Sequence, residues 1–261
     1  MRDAQRHTDL LADPSDKAGS VRRMFSDIAP RYDLLNHLLT LNIDRRWRRL
    51  AVDWLLEDTP ADGRFLDACA GTLDLAVEVA GRDAFRGTVV ASDFARPMLE
   101  KGRPKATGLP VLPTCGDALR LPHPDGAFHG AIVGFGVRNF ADLDAGIAEL
   151  TRVLAPGGRL VILELSLPAW RPLRRLYALY FTRFLPWLGR RISGHDAAYS
   201  YLPASVRDFP GPAELAARMV RAGLDEVRWR RLMGGIAAIH SGRRPSVRRP
   251  SQSTEGAVTN G

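Results

Sequence analysis

From residue 62 onward, short apolar runs alternate with segments in which apolar residues recur every three or four positions. The short runs are almost continuously apolar and are bounded by Gly, Pro or Asp, a pattern typical of strands buried on both faces. We predict strands in RFLDACA, TVVASD, VLPTC, GAIVGF and GGRLVILEL, and helices in the periodic segments between them. This alternation predicts an α/β fold, a doubly wound and mostly parallel sheet with helices on both faces.

The segments on either side of this region are predicted to be largely helical. Apolar residues recur at helical spacing through residues 21–56, where Pro30 is placed to break or redirect the first helix. We expect a helical insertion over residues 169–209, a further helix in PAELAARMVRAGL, and a closing antiparallel strand pair in DEVRWRRL and GGIAAIHSG. The two ends of the chain are too polar to fold. The prediction is a flexible leader over 1–20, one domain over 21–242, and a disordered Arg/Ser/Pro tail over 243–261.

The net charge of +8 changes this picture only locally. Six arginines and no acidic residue lie in 168–191, and residues 241–261 add a net +3, so the rest of the 261-residue chain sums to −1. Because the body of the chain is near neutral, a general nucleic-acid-binding face is disfavoured, and we expect no nucleic-acid partner.

Cysteine usage and hydropathy indicate the compartment. Cys69 and Cys115 lie in apolar runs without a metal-ligating partner nearby, so we expect buried reduced thiols and no metal site. No apolar run approaches the roughly 18–20 residues that a membrane span needs. The polar N-terminus also lacks the apolar stretch of a signal peptide. These features predict a cytoplasmic protein.

Acidic residues follow three successive predicted strands. Asp67 ends the first strand and is followed by Gly71, Asp93 ends the second strand 22 residues after Gly71, and Asp117 follows the third. That spacing suits a carboxylate that reaches a ribose, and no basic residue in these loops would meet a pyrophosphate. The alternative for each acid is a helix cap. The set fits S-adenosylmethionine better than NAD or ATP. The predicted cofactor-binding residues are Asp67, Gly71, Thr72, Asp93, Asp117, Ala118 and Gly134.

Four further blocks, spread over residues 21–242, resemble one family. They are YDLLN at 32–36 followed by Thr40 and Trp47, FGVRN at 135–139, RVLAPGGRL at 152–160 with ELS at 164–166, and YSYLPASV at 199–206. The chain resembles the ubiquinone/menaquinone biosynthesis C-methyltransferases, which are class I S-adenosylmethionine-dependent methyltransferases. Residues that depart from the family's usual pattern are Leu35, Thr40, Asp44 and Ala155.

The cofactor loop is the main departure from the family. Ala70 and Leu73 stand where the first and third glycines of the family's loop usually lie. Alanine is tolerated where φ is negative, whereas leucine adds bulk where helix and strand often pack tightly. Two outcomes are open, a reshaped loop that still binds the cofactor and a loop with weakened or lost binding.

The resemblance implies catalytic roles for Tyr32, Arg138 and Asn139. Arg138 is expected to stabilise a quinol phenolate, since a guanidinium holds its proton too tightly to act as a base. Asn139 would orient a water molecule or the second ring oxygen, and Tyr32 would line the ring pocket, with a core position as the alternative.

Each of these roles has a competing explanation. Arg138 has a possible ion-pair partner in Asp142, four residues on, and Asn139 is placed to cap a helix that begins near Ala141. His195 and Asp196 precede the Tyr-x-Tyr block, either as a base or in a solvated loop.

The activity implied by the resemblance is C-methylation of a polyprenylated quinol, either demethylmenaquinol or a polyprenyl benzoquinol. The alternatives are methylation of a soluble aromatic metabolite and a non-catalytic scaffold. Residues 169–191 interleave six aromatic residues with six arginines. This composition is typical of helices at a membrane surface, which would place the protein peripherally on the inner face of the membrane. A homodimer or lid contact is the alternative.

Overall fold

The computed structural model describes residues 17–29, 40, 42–180, 183 and 196–246, with the backbone alone for 17–18 and 196–200. Its centre is a seven-stranded sheet in the order β3-β2-β1-β4-β5-β7-β6. The strands are β1 (Arg64–Ala68), β2 (Thr88–Asp93), β3 (Val111–Cys115), β4 (Phe128–Gly134), β5 (Leu154–Leu165), β6 (Asp225–Leu232) and β7 (Ala237–Arg243). Neighbours among β1 to β5 pair in parallel, and β7 is antiparallel to both β5 and β6. The predicted mostly parallel sheet with a closing antiparallel pair is confirmed.

Eight α-helices are described. They are α1 (Lys17–Ile28), α2 (Asp44–Leu56), α3 (Asp74–Ala80), α4 (Arg96–Gly102), α5 (Leu143–Val153), α6 (Arg171–Leu179), α7 (Asp196–Asp208) and α8 (Pro212–Arg221). The predicted helical insertion corresponds to α6 and α7, which lie between β5 and α8. Within the described residues, no helix has both the length and the apolarity needed to cross a bilayer.

The core lies on both faces of the sheet, which explains why the strand sequences are continuously apolar. Along β1, Phe65 packs with Leu55 of α2 on one face, and Leu66 packs with Leu150 of α5 on the other. Successive strand residues point to opposite faces, so a strand covered on both sides needs apolar residues at every position.

Two sequence expectations are wrong in detail. Helix α1 begins at Lys17, inside the expected leader, because the turn before the buried Val21 already packs and leaves Ser20 only 9% exposed. The cysteines are free, as expected, but Cys115 is exposed and Cys69 is only partly buried. Cys115 lies on β3, which the strand order puts at the edge of the sheet, where side chains meet solvent.

Candidate active site

A pocket of about 690 Å³ opens at the carboxyl ends of β1 to β4, the end of a parallel sheet where ligands bind. Its polar side chains are those of Asp93, Asp117 and Asn139. Its apolar walls are formed by Phe25, Phe94, Met98, Leu119, Phe135 and Phe140. The pocket also contains Gly71, Ala118 and Gly134, so five of the seven predicted cofactor residues meet here.

The loops after β1 and β2 are joined through Asp93. Its Oδ2 accepts a hydrogen bond from the Gly71 N–H at 2.8 Å, and its Oδ1 accepts one from the Ala95 N–H at 2.8 Å. Burial raises the pKa of the Asp93 carboxyl, although the hydrogen bonds from backbone N–H groups act in the opposite direction. Two residues separated by 22 positions are therefore in direct contact at the pocket.

Asp67 and Thr72 lie beneath the pocket and are not part of its wall. Both are almost fully buried, with 1% and 2% of their surface exposed. The Asp67 carboxylate accepts a hydrogen bond from the Ala76 N–H at 2.9 Å, which ties β1 to α3. Burial in this position raises the pKa of Asp67 to about 8.

The loop between β1 and α3 has an unusual backbone. Cys69, Gly71 and Leu73 have φ values of 55°, 52° and 68°, in the left-handed region that disfavours residues with a side chain. Leu73 is fully buried in the core, and Gly102 of α4 lies so close that a Cβ there would be 2.6 Å from Leu73 Cγ. Ala70, the other departure from the family loop, is not among the residues with positive φ. Leu73 therefore combines a left-handed backbone with a side chain packed in the core.

Glycines bring the strand ends close together around the pocket. A Cβ at Gly134 would lie 2.5 Å from Leu75 Cδ1, one at Gly136 would lie 2.6 Å from Cys69 Cβ, and one at Gly116 would lie 2.8 Å from Ser92 Oγ. Among the described lining residues there are two carboxylates and no lysine or arginine. This donor set fits a cofactor with a ribose, an adenine and a positively charged centre, and it does not fit a pyrophosphate.

Arg138 lies in a 3₁₀ turn, Val137–Asn139, which is separated from the end of β4 by two residues. Its Nη1 donates to Glu164 Oε1 at 2.7 Å and also to the Phe135 carbonyl oxygen, and its backbone N–H donates to Glu164 Oε2 at 3.3 Å. Glu164, at the end of β5, is 1% exposed and also accepts from the Leu165 N–H. The expected alternative partner Asp142 is wrong, because Arg138 pairs with a buried acid on the neighbouring strand.

Asn139 is the one residue of the predicted catalytic set that lines the described pocket. Its Oδ1 accepts a hydrogen bond from Tyr201 Oη at 2.9 Å. The alternative role as a helix cap is wrong, because α5 begins at Leu143 and Asp142 caps it by accepting from the Ala145 N–H at 3.0 Å.

A family model, described as the ubiE/COQ5 methyltransferase family, matches residues 13–244. The chain belongs to the ubiE/COQ5 methyltransferase family. A demethylmenaquinone methyltransferase of Thermus thermophilus is 53% identical over 224 residues, 85% of this chain and 100% of the relative. One of Deinococcus radiodurans is 46% identical over 234 residues, 89% of this chain and 95% of the relative.

The solved structure of the [4+2]-cyclase SpnF has a TM-score of 0.64 to this chain at 18% identity, and the match covers 87% of this chain and 96% of that one. A likeness at this identity supports the fold alone. The family, and with it the methyltransferase activity that the sequence predicts, rests on the family model and the curated relatives.

In this methyltransferase, the N-terminal block packs against the cofactor loop. Thr40 Oγ1 donates to Asp44 Oδ1 at 2.6 Å, and Arg48 pairs with Asp44 at 2.7 Å and with Asp74, at the start of α3, at 3.0 Å. The Arg48 guanidinium also lies 5.9 Å from the centre of the Phe135 ring. These contacts attach α2 to the loops after β1 and β4.

Tyr32 and His195 lie outside the described residues, and Asp196 is described only as the first residue of α7. Their predicted roles therefore stay predictions.

Several residues that surround Arg138 and Asn139 are absent from the predicted site. Glu164 and Tyr201 belong to motif blocks but were given no role, and Tyr177 of α6 was counted only as an aromatic residue of the insertion. Burial raises the pKa of Tyr177, while the positive charge of Arg138 opposes the shift. Glu164 could be recognised in the sequence as a carboxylate at the end of a buried strand. Phe94, which is also absent from the predicted site, could be recognised by its position directly after Asp93.

Proposed function

We propose that the chain transfers a methyl group from S-adenosylmethionine to a ring carbon of demethylmenaquinol, a polyprenylated naphthoquinol. The observation that supports this most directly is the position of Asn139, which lines the pocket beside the buried Arg138–Glu164 pair. The names of the two relatives support the choice of quinol, since both are demethylmenaquinone methyltransferases.

S-adenosylmethionine, when bound, supplies an electrophilic methyl group on a sulfonium centre. In our assignment Asp93 binds the ribose hydroxyls, and Asp117 and Ala118 bind the adenine. Gly71 and Gly134 provide close backbone approach, while Asp67 and Thr72 support the loop from below. The acidic, lysine- and arginine-free lining of the described pocket agrees with a cationic cofactor.

Arg138 and Asn139 then act on the quinol. A quinol hydroxyl has a pKa near 10, so at neutral pH the reactive phenolate needs stabilisation by a fixed positive charge. Arg138 provides that charge, and Glu164 holds its Nη1 in place at 2.7 Å. Asn139 orients the second ring oxygen or the water molecule that removes the proton of the quinol hydroxyl. Tyr32 lines the ring pocket.

The test is turnover with anaerobically reduced demethylmenaquinol and labelled S-adenosylmethionine, followed by mass spectrometry of the quinone. We expect one methyl group on the naphthoquinone ring, and accumulation of the demethylated quinone in a deletion strain. Binding of the cofactor without methylation of any prenylated quinol, or methylation of soluble phenols instead, would refute the assignment.

We also propose that α6 rests on an anionic membrane surface, where a polyprenyl quinol is available. Trp170, Leu176 and Leu179 are 67%, 62% and 52% exposed, and the helix adds exposed arginines but no acid. An isologous dimer through this face would bring arginines against arginines, whereas anionic lipid complements them. The membrane explains the exposed face better than a dimer does.

Vesicle co-sedimentation tests this surface with a matched pair of variants. Leu179→Asp, on α6, should reduce binding to phosphatidylglycerol vesicles about tenfold, since a buried leucine contributes about 1.5–3 kcal/mol. Leu112→Asp, at an equally exposed leucine (53%) on the β3 edge, should not change it. An equal loss of vesicle binding in both variants would contradict the membrane role of α6. A mass in solution of two chains that Leu179→Asp reduces to one would favour the dimer.

A further inference from the structure

Tyr201 connects two distant parts of the chain at the active site. It lies on α7, which packs against the 3₁₀ turn that carries Arg138 and Asn139. Its hydroxyl reaches Asn139 Oδ1 at 2.9 Å across 62 residues of sequence. Only 9% of the Tyr201 surface is exposed, so this hydrogen bond is shielded from water.

The direction of this hydrogen bond fixes how the Asn139 amide is presented. The Tyr201 hydroxyl can donate or accept, and here it donates to Asn139 Oδ1, because the Phe135 carbonyl oxygen on the other side of the amide can only accept. A donor at Oδ1 selects one of the two amide orientations, and the Nδ2 group is then directed to the other side. The partner that the described residues offer Nδ2 is the Phe135 carbonyl oxygen, at a long 3.5 Å. An amide nitrogen has two hydrogens, so at least one remains to donate to a ligand.

We propose that Tyr201 is a positioning residue for methyl transfer, which holds the Asn139 amide with its N–H donors toward the quinol oxygen. This inference rests on the proposed function. With the amide reversed, Asn139 would present an acceptor oxygen to a ring oxygen that gains negative charge as the reaction proceeds, and the contact would become repulsive. The hydroxyl of Tyr201 therefore favours the transition state through Asn139, without touching the substrate itself.

This role differs from that of Glu164, which holds the neighbouring Arg138. Glu164 fixes the residue that supplies positive charge, and Tyr201 fixes the residue that supplies neutral donors. Two consecutive residues of one turn are thus oriented by separate elements, β5 and α7. Loss of one contact should leave the other in place.

The experiment is a double-mutant cycle of Tyr201→Phe and Asn139→Ala, with Ser205→Ala as the control. Ser205 is on the same helix, and its hydroxyl bonds only within α7, to the Leu202 carbonyl oxygen among the described contacts. We expect Tyr201→Phe to lower kcat about tenfold, with the Kd for S-adenosylmethionine within twofold of wild type. In the Asn139→Ala background, the same change should alter kcat less than twofold. Wild-type kcat in Tyr201→Phe, or an equal loss in both backgrounds, would overturn the proposal.

A second measurement does not depend on the identity of the substrate. The side-chain amide signals of Asn139 in a 15N–1H spectrum, identified by their absence in Asn139→Ala, should shift or broaden in Tyr201→Phe and stay unchanged in Ser205→Ala. Unchanged signals in Tyr201→Phe would overturn the positioning role. If these signals change but the wild-type enzyme does not methylate demethylmenaquinol, the substrate assignment fails and the role of Tyr201 in orienting Asn139 stands.

Discussion

The two ends of the active site are built differently. Around the cofactor pocket, contacts are made mainly by the backbone: Asp93 accepts N–H groups from Gly71 and Ala95, and glycines bring the loops together. Around Arg138 and Asn139, contacts are made by side chains from distant elements, Glu164 and Tyr201. Backbone-built sites depend on local loop geometry, whereas side-chain networks depend on how the elements pack. Substitutions at the first end should therefore change cofactor binding and stability, and those at the second should change turnover.

The largest expected effect is on turnover. Arg138→Lys keeps the positive charge beside Glu164 but loses the planar fork that also contacts the Phe135 carbonyl, so we expect kcat to fall about 10²-fold or more. Cofactor affinity should change little, whereas the melting temperature should fall, because lysine loses contacts in the buried pair with Glu164. Raising the pH toward the quinol pKa of about 10 should restore part of the rate, since solution then supplies the phenolate.

A pH–rate profile of both enzymes on reduced quinol measures this, with the exposed Arg207→Lys on α7 as the control. Turnover at the wild-type level, or an equal loss at every pH, would contradict the role of Arg138 in stabilising the phenolate. An equal loss at every pH would assign proton transfer to His195 or Asp196 instead.

The next effect is on stability, at the cofactor loop. Leu73→Ala removes a fully buried side chain and should lower the free energy of unfolding by about 3 kcal/mol. Leu73→Gly removes the same atoms but relieves the left-handed backbone, so it should be about 1 kcal/mol more stable than the alanine variant.

Urea unfolding of the three proteins separates these contributions. S-adenosylmethionine affinity of folded Leu73→Gly should equal or exceed that of wild type, because glycine restores the usual family loop. If the glycine variant is less stable than the alanine variant, the left-handed backbone at residue 73 does not destabilise the wild-type protein. A large loss of cofactor affinity in Leu73→Gly would mean that binding requires the leucine side chain.

A third prediction concerns pH. Burial raises the pKa of Asp67 to about 8, so the folded protein keeps a proton that the unfolded chain, with a pKa near 3.9, releases. Stability from this group therefore falls as the pH rises from about 4 to about 8. Burial lowers the pKa of His240 to about 4, which produces the opposite slope between about 4 and 6.5. Between pH 6.5 and 8 the protonation of His240 no longer changes the stability, so it does not offset the loss of stability due to Asp67.

In that window the wild-type protein should lose about 2 kcal/mol of stability, and Asp67→Asn should lose correspondingly less. Denaturant titrations at pH 6.5 and 8 test this, with the exposed Asp62→Asn as the control. The same slope in Asp67→Asn and wild type would show that Asp67 is ionised in the folded protein.

The smallest effect is on cofactor binding. Asp93→Ala should weaken S-adenosylmethionine binding by about 1.5 kcal/mol, the scale of a hydrogen bond to a charged group, and should leave turnover at saturating cofactor less affected than Arg138→Lys does. Calorimetry on folded protein measures this, with Asp62→Ala as the control. Unchanged affinity would show that Asp93 only supports the Gly71 loop. The distinction between a cofactor-binding end and a catalytic end of the site would then fail.

Features of the fold and of the site can be predicted where a residue's environment follows from its neighbours along the chain. Asp93 and Gly71 were both predicted to follow neighbouring strands at the cofactor site, and both line the pocket. Leu73 was identified as the unusual loop residue, but its left-handed backbone and its burial against Gly102 of α4 were not foreseen. The missing information was the position of α4, which no local pattern contains.

By itself, the sequence determined the succession of strands and helices, the double-sided burial of the strands and the set of acids at their carboxyl ends. Period-two and helical patterns are local, and parallel strands bring their ends to one edge of the sheet. Only the tertiary structure decided that Arg138 pairs with Glu164 instead of Asp142, that Tyr201 holds Asn139, and that Cys115 is exposed on an edge strand. A hydrogen bond forms between groups about 3 Å apart, and that proximity is set by the order of the strands and the packing of α7, not by separation along the chain.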